Sequence, residues 1–349
     1  MPHGNGFGQR VTIEDVAEAA RVSRQTVTNA LRHPQRVKPE TLERVRAQID
    51  RLGYRPSLAA QAMQSQRSGA VGVELNVLGP NYHNAMMAPF LAALSVESVR
   101  HQLHIVTFGS AGTAPTLDAY EQMRQSQVVD AFVIADTHLG DPRPDWLAAR
   151  GIPFASFGRV WDDPTFTRWV DIDGHHGTAL AVDHCRGAGY QRIGYLGWPE
   201  GDAAVGDSRR EGWRHACRWD NGDLAARQGS AVDELETATL AARPVVAEVG
   251  RGGAVVCGSD VLAVGVLHAA LRAGLRPGTD LGIVGFDDSE LARMHGLTSI
   301  SQPMETVATH ALRLVRESLS GHDGVRSEGV LLQPELTVRA STAGAGRRL

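Results

Sequence analysis

Apolar positions recur at helical spacing three times in the first fifty residues. Ile13, Val16, Ala17 and Ala20 share one face of a helix predicted over about 13–20, behind Thr12 as N-cap and with Glu14 and Asp15 in the first turn. Arg21 and Val22 break the pattern. Ser23 is a fresh N-cap, and Val27, Ala30 and Leu31 form the inward stripe of a second helix over about 24–32. Pro39 opens a third helix in which Leu42, Val45, Ile49 and Leu52 face one way, with Gly53 as its C-terminal cap. Two short helices across a tight turn make a helix-turn-helix, and the third closes a miniature all-α core.

From Gly69 onward the pattern becomes short apolar strands alternating with helical stretches. The first series runs Ala70–Leu75, helix 86–101, His104–Phe108, helix 116–126, Ala131–Ala135, helix 143–150 and Phe154–Phe157. A second series follows: Trp169–Ile172, helix 176–188, Arg192–Leu196, helices 208–218 and 239–249, Ala254–Cys257, helix 261–273 and Gly282–Phe286. Strand–helix repetition predicts parallel sheets covered on both faces, here as a two-lobed α/β core with a cleft beyond the strand C-termini.

Composition narrows the class. The chain has 349 residues, 42% hydrophobic and 21% charged, enough for a large core plus a satellite module and unlike a disordered chain. No run of about 18 apolar residues occurs and the start, MPHGNGFGQR, lacks an apolar signal core, so a cytoplasmic protein with no membrane partner is expected. Cys185, Cys217 and Cys257 are widely spaced and form no C-x-x-C, so free buried thiols are expected. Lys38 is the only lysine, a matter of genome composition. Between Arg10 and Arg67, eleven cationic residues oppose six acids, about +5; with a net charge of −4 the remainder carries about −9. A basic head on an acidic body places any polyanion contact on the head.

Residues at the start of the second helix of such a motif enter the major groove, which exposes Arg24, Gln25, Thr28 and Asn29; Arg suits guanine, Gln and Asn suit adenine. The stretch VTIEDVAEAARVSRQTVTNALRHPQRVKPETLERVRAQIDRLGYRP, with its V-S-x-x-T-V core and terminal G-Y-x-P, resembles the head of the LacI/GalR family of transcriptional regulators. The resemblance extends to the closing L-x-P-E-L-x-V-R-x-S-T at 332–342. It implies a DNA-contacting set of Thr12, Ser23, Arg24, Gln25, Thr26, Thr28, Asn29, Arg32, Tyr54, Ser57, Ala60, Gln61 and Met63. It also implies that 57–63, too short to be a stable helix alone, is a hinge helix that orders on DNA, with Met63 where relatives carry a leucine wedge and Gln61 at a minor-groove contact. Asn29 stands where many relatives carry Arg.

For the core the resemblance implies a periplasmic-binding-protein fold whose chain crosses between lobes three times, the third near Ser301–Pro303. The implied organisation is a 1–9 tail, a 10–55 DNA-binding domain, a 56–68 hinge and linker, a 69–342 effector core and a 343–349 tail. The first lobe takes about 69–170 and 303–331, the second about 171–301 and 332–342. Effector residues implied position by position are Arg209 in D-S-R-R-E-G-W, Asp287 in I-V-G-F-D-D, Ser259 where Asn is common, and the crossover Gln302, with Asn76 and Arg159 from the first lobe. Polyols need such acceptors and donors beside an aromatic face, for which Trp198, Trp161 and Trp169 are available. FASFGR, WVDIDG, GYLGWPEG and GDSRREGW further resemble an actinobacterial subgroup that senses cellobiose and related glucosides.

Asp171-x-Asp173 with His175, His176 and His184 has some metal-site character, but in the family this D-x-D-G braces the following helix, so no metal is expected. No G-x-S-x-G, Walker loop or Rossmann fingerprint is present, and neither an enzyme nor a cofactor is expected. The resulting expectation is a nucleoid-associated homodimeric repressor of carbohydrate genes, bound to a pseudo-palindromic double-stranded operator and released by a mono- or disaccharide. The same architecture with a purine-like co-repressor is the alternative. A transport solute-binding protein would need a secretory signal and no DNA-reading head.

Overall fold

The computed structural model describes residues 11–54, 67–75, 86–109, 117–201, 203–220, 222–320 and 328–344. It divides into two compact units, 1–68 and 69–349.

In the first unit, α1 (Ile13–Ala20) begins at a capping box: Thr12 accepts from the Asp15 amide while the Asp15 carboxylate accepts from the Thr12 amide at 2.7 Å. Arg21 ends it in the left-handed region, φ +53°. α2 (Arg24–Arg32) starts at Ser23, whose hydroxyl accepts from the Thr26 amide, and α3 (Pro39–Leu52) stops at Gly53, φ +64°. Val16, Ala17, Ala20, Val27, Ala30, Val45 and Tyr54 are buried together. Arg44 of α3 donates from Nε to the Ala20 carbonyl at 2.9 Å, satisfying the end of α1 from across the core. Leu31, expected on the inward stripe, is 40% exposed, because it lies one helical step beyond the face centred on Val27 and Ala30.

The second unit contains two six-stranded sheets. The first, ordered β11-β5-β4-β3-β1-β2, is built from β1 (Ala70–Leu75), β2 (His104–Gly109), β3 (Ala131–Ile134), β4 (Phe154–Phe157), β5 (Trp169–Ile172) and β11 (Val330–Leu332), all parallel. α4 (Met87–Arg100) and α12 (Met304–Leu319) cover one face through Phe90, Leu94, Val307 and Leu312. α5 (Leu117–Gln125) and α6 (Pro142–Ala149) cover the other through Tyr120 and Leu147.

The second sheet, ordered β12-β10-β9-β8-β6-β7, has β6 (Arg192–Gly197), β7 (Gln228–Ser230), β8 (Gly253–Cys257), β9 (Leu281–Asp287) and β10 (Thr298–Ser301) parallel, with β12 (Glu335–Thr337) antiparallel at its edge. α7 (Gly174–Gly187) and α8 (Ala204–Ala216) pack on one face around Trp213 and Cys185; α9 (Leu235–Val249) and α10 (Asp260–Arg272) pack on the other, and α11 (Glu290–His295) follows β9. Gly212 is where α8 meets α7: a Cβ there would stand 2.2 Å from the His175 carbonyl oxygen.

Two expectations change here. Trp169–Ile172, read as opening the second series, pairs with Phe157 and Val330 and belongs to the first sheet, so the chain leaves the first lobe at Asp173. The crossing at Gln302–Pro303 is the second, and the third is Gln333–Pro334, between β11 and β12. The cause is that β11 is a three-residue strand added late to the first sheet. All three crossings leave the strands at their C-terminal ends, the edge where ligands of open α/β sheets bind.

Candidate functional site

On the first unit, α2 presents Arg24, Gln25 and Arg32 exposed and Thr26, Thr28 and Asn29 partly exposed. Gln25 donates from Nε2 to the Asn29 Oδ1 at 3.3 Å, Thr28 returns its hydroxyl to the Arg24 carbonyl, and Arg24 pairs with Glu14 at 3.1 Å. Thr26 and Asn29 line a shallow groove with Arg36, Lys38, Thr41 and Arg44. Polar, base-competent side chains beside cations are what major-groove reading requires. Thr12 and Ser23 act as caps. Tyr54 is 8% exposed and packs in the core of the head. Ser57, Ala60, Gln61 and Met63 lie outside the described residues, as does Asn76 of the core.

In the second lobe the site grows from strand ends. α8 carries Arg209 on its buried side, with Nη1 donating to the Gly258 carbonyl at 2.5 Å and 3.8 Å from Asp287 Oδ1. Its guanidinium lies 3.6 Å from the Phe286 ring centre and 5.2 Å from that of Trp198. Asp287, at the end of β9 with φ +114°, accepts from Gln302 Nε2 at 2.6 Å. Burial pushes the Asp287 carboxyl up to about 8, with Asp260 and Asp233 adding to the rise and Arg209 opposing it. Arg209, Asp287, Gln302 and Trp198 therefore form one cluster.

Ser259 is spent locally. Its hydroxyl caps α10 by accepting from the Leu262 amide at 3.2 Å and donates to Asp233. The acid beside this strand end is thus Asp233, which the sequence patterns did not single out. Asp260 was also missed: fully buried, it accepts from Ser299 Oγ at 2.6 Å and from the Ser289 amide and hydroxyl at 2.7 Å, bracing the segment after Asp287. The S-D pair at the start of α10 was the available signal, read for its first residue alone.

Arg159 belongs to a separate first-lobe cluster after β4. It bonds Asp171 at 2.8 Å and lies 4.3 Å from the Trp161 ring centre and 5.9 Å from that of Trp169. Beside it is a buried charge set: Arg143 reaches Glu74 at 3.0 Å and Asp141 at 2.7 Å and donates to the carbonyls of Ala135 and Asp136, while Tyr120 donates to Glu74 at 2.9 Å. In the D-x-D-G segment, Asp171 holds Arg159 and Asp173 caps α7 through the His176 amide at 2.9 Å. His184 bonds Thr342 instead. No group of three metal-binding side chains gathers among the described residues.

Comparison with known proteins agrees with both halves of this geometry. Residues 12–57 match the model of bacterial regulatory proteins of the lacI family, and 182–342 match a periplasmic binding protein-like domain. The regulator AglR of Rhizobium meliloti strain 1021 is 30% identical, over 97% of this chain and 96% of its own. The chain belongs to the LacI family. Another family member, CelR of Thermobifida fusca, is 28% identical over 95% of this chain and 98% of its own. A solved complex of the family regulator CelR with cellobiose superposes with a TM-score of 0.65 at 26% identity, covering 95% of this chain and all of that one. LacI-family membership explains the order of parts along the chain: reading head, then two-lobed core. Among the described residues no helix is long and apolar enough to cross a membrane.

Proposed function

We propose that this protein is a homodimeric repressor of carbohydrate-utilisation genes that leaves a pseudo-palindromic operator when a mono- or disaccharide fills the core. The observation that carries the reading is the cluster of Arg209, Asp287 and Gln302 beside Trp198 at the second lobe's strand ends. A guanidinium, a carboxyl and an amide converging beside an indole match the polar edge and apolar C–H face of a sugar ring. CelR, a relative along nearly its whole length, has been solved with cellobiose, which makes a β-glucoside the first effector to try.

Closure on the sugar has to disfavour the DNA-bound arrangement; moving a regulator from mostly bound to mostly free takes roughly 5 kcal/mol of differential affinity. Gel-shift titration on the DNA upstream of its own gene, with cellobiose, maltose, sucrose, galactosides and purines in turn, tests this. Release by one sugar is expected. Affinity unchanged across the panel overturns induction by sugar, and tightening by a purine assigns a co-repressor instead.

A further inference from the structure

Two neighbouring residues at the end of β9 stand in the left-handed region without being glycine: Asp287 at φ +114° and Asp288 at φ +50°. Backbone of this kind persists only where its surroundings over-determine it. The contacts that hold it come from several elements. The Asp288 amide donates to Ser299 Oγ of β10 at 3.0 Å, and Arg293 of α11 donates to the Asp288 carbonyl at 2.9 Å. Asp260 of α10 accepts from the Ser289 amide and hydroxyl, each at 2.7 Å. The Asp288 carboxylate is held from beyond the third crossing: Thr337 of β12 donates its hydroxyl at 3.5 Å, and Arg339 forms an ion pair at 2.6 Å.

Arg339 is itself firmly seated. Its amide donates to Thr298 Oγ1 at 2.9 Å and its Nη1 to the Leu297 carbonyl at 2.8 Å. Two residues on, Ser341 donates to the Ile283 carbonyl at 2.6 Å and accepts from the Thr298 amide at 2.8 Å. A Cβ on Gly278 would stand 2.0 Å from the Ala340 carbonyl oxygen, so the backbone of this segment also fits closely. β12, antiparallel to β10, links this seat directly to the crossing at Gln333–Pro334.

The turn also concentrates acid. Asp233, Asp260, Asp287 and Asp288 meet Arg209 of α8, Arg293 of α11 and Arg339 there. Burial first holds the Asp260 carboxyl above its ordinary range, and Asp288 adds to the rise. Arg209 opposes the rise at Asp287 and Arg293 pairs with Glu290, which leaves Arg339 as the cation paired with Asp288.

We propose that Arg339, the arginine of the closing V-R-x-S-T, is a positioning residue for the effector site. By gripping Asp288 it holds the left-handed turn that sets the Asp287 carboxyl against Arg209 and Gln302, so the last segment of the core determines how well the site binds. The inference rests on Asp287 belonging to the effector site.

The test compares full-length wild type, Arg339→Gln and Arg339→Lys by melting temperature from pH 5 to 8 and by isothermal titration with cellobiose. Removing a positive charge from a rigid site would push the neighbouring carboxyls higher still, leaving the wild-type decline of stability with pH as steep or steeper. Releasing the turn instead lets the Asp287 carboxyl reach water, and the decline flattens. Arg339→Gln is expected to flatten it and to weaken cellobiose binding about tenfold, the worth of one hydrogen bond to a buried polar group. Arg339→Lys, which keeps the charge, should fall between. A uniformly lower melting temperature with the wild-type slope, or a steeper one, makes Arg339 structural only and overturns the proposal. So does an unchanged cellobiose affinity, or a flat profile in the wild type itself. If Arg339→Gln does not fold, the same two measurements on Arg339→Lys decide in the same way. Cellobiose bound by neither wild type nor variant counts against the β-glucoside reading alone, and the pH profile still decides the role of Arg339.

Discussion

Gln302 donates its side-chain amide to Asp287 at 2.6 Å, joining the second inter-lobe crossing to the acid at the end of β9. Gln302 thus lies on a crossing between the lobes and contacts an acid of the candidate site. Gln302→Leu would remove the donor and leave Asp287 with Arg209 alone. Effector affinity should fall about tenfold, the worth of one hydrogen bond to a buried polar group. Titration of whichever sugar releases the DNA measures it.

Asp287 also makes stability depend on pH. Its folded-state value, about 8, lies above the unfolded carboxylate value, so the fold binds a proton that the unfolded chain has lost between about pH 4 and pH 8. Stability from this group is therefore present at low pH and lost as pH rises through that window. Melting temperature should decline from pH 5 to 8 in the wild type, and Asp287→Asn should flatten the profile. A wild-type profile as flat as the variant's would contradict the raised value.

Arg143 is the buried charge whose removal should be felt most. It is 3% exposed and neutralises Glu74 and Asp141, both nearly as buried. Arg143→Met would strand two carboxylates, at a cost of about 3–5 kcal/mol. Urea denaturation should show the core unfolding at markedly lower midpoint, with the head's transition unmoved.

Arg24 should behave oppositely. Its pair with Glu14 is 63% and 60% exposed, a geometry worth little to stability. Arg24→Ala should leave the melting temperature of the head within a degree or two, yet weaken binding to its operator by about 1–3 kcal/mol if it reads a base edge. Parallel thermal and gel-shift measurements separate the two roles.

The thiols should be silent. Cys185, Cys217 and Cys257 are fully buried, and burial pushes Cys185 and Cys217 up to about 12. Ellman's reagent at pH 8 should titrate none in the native protein and three after denaturation.

What could be read from the chain was what local chemistry fixes. Thr12, Ser23, Pro39 and Gly53 mark helix ends by capping and φ preference, so the three helices of the head fall where their caps and stripes put them. β7 was missed because Gln-Gly-Ser at a sheet edge has no apolar period. Arg143 gave no signal either: its partner Glu74 is 69 positions away, and only the sheet brings them together. Ser259 is expected among the effector residues from the resemblance alone, which marks a position without revealing that its hydroxyl caps a helix.

Lys38, exposed at the start of α3 and lining the groove with Thr26 and Asn29, is the single lysine of the chain. Every other positive charge on a side chain is a guanidinium or an imidazole, which amine-directed esters pass over. An amine-directed fluorophore therefore has Lys38 as its one side-chain target. The first unit thus carries one chemical handle, in the groove that Thr26 and Asn29 also line.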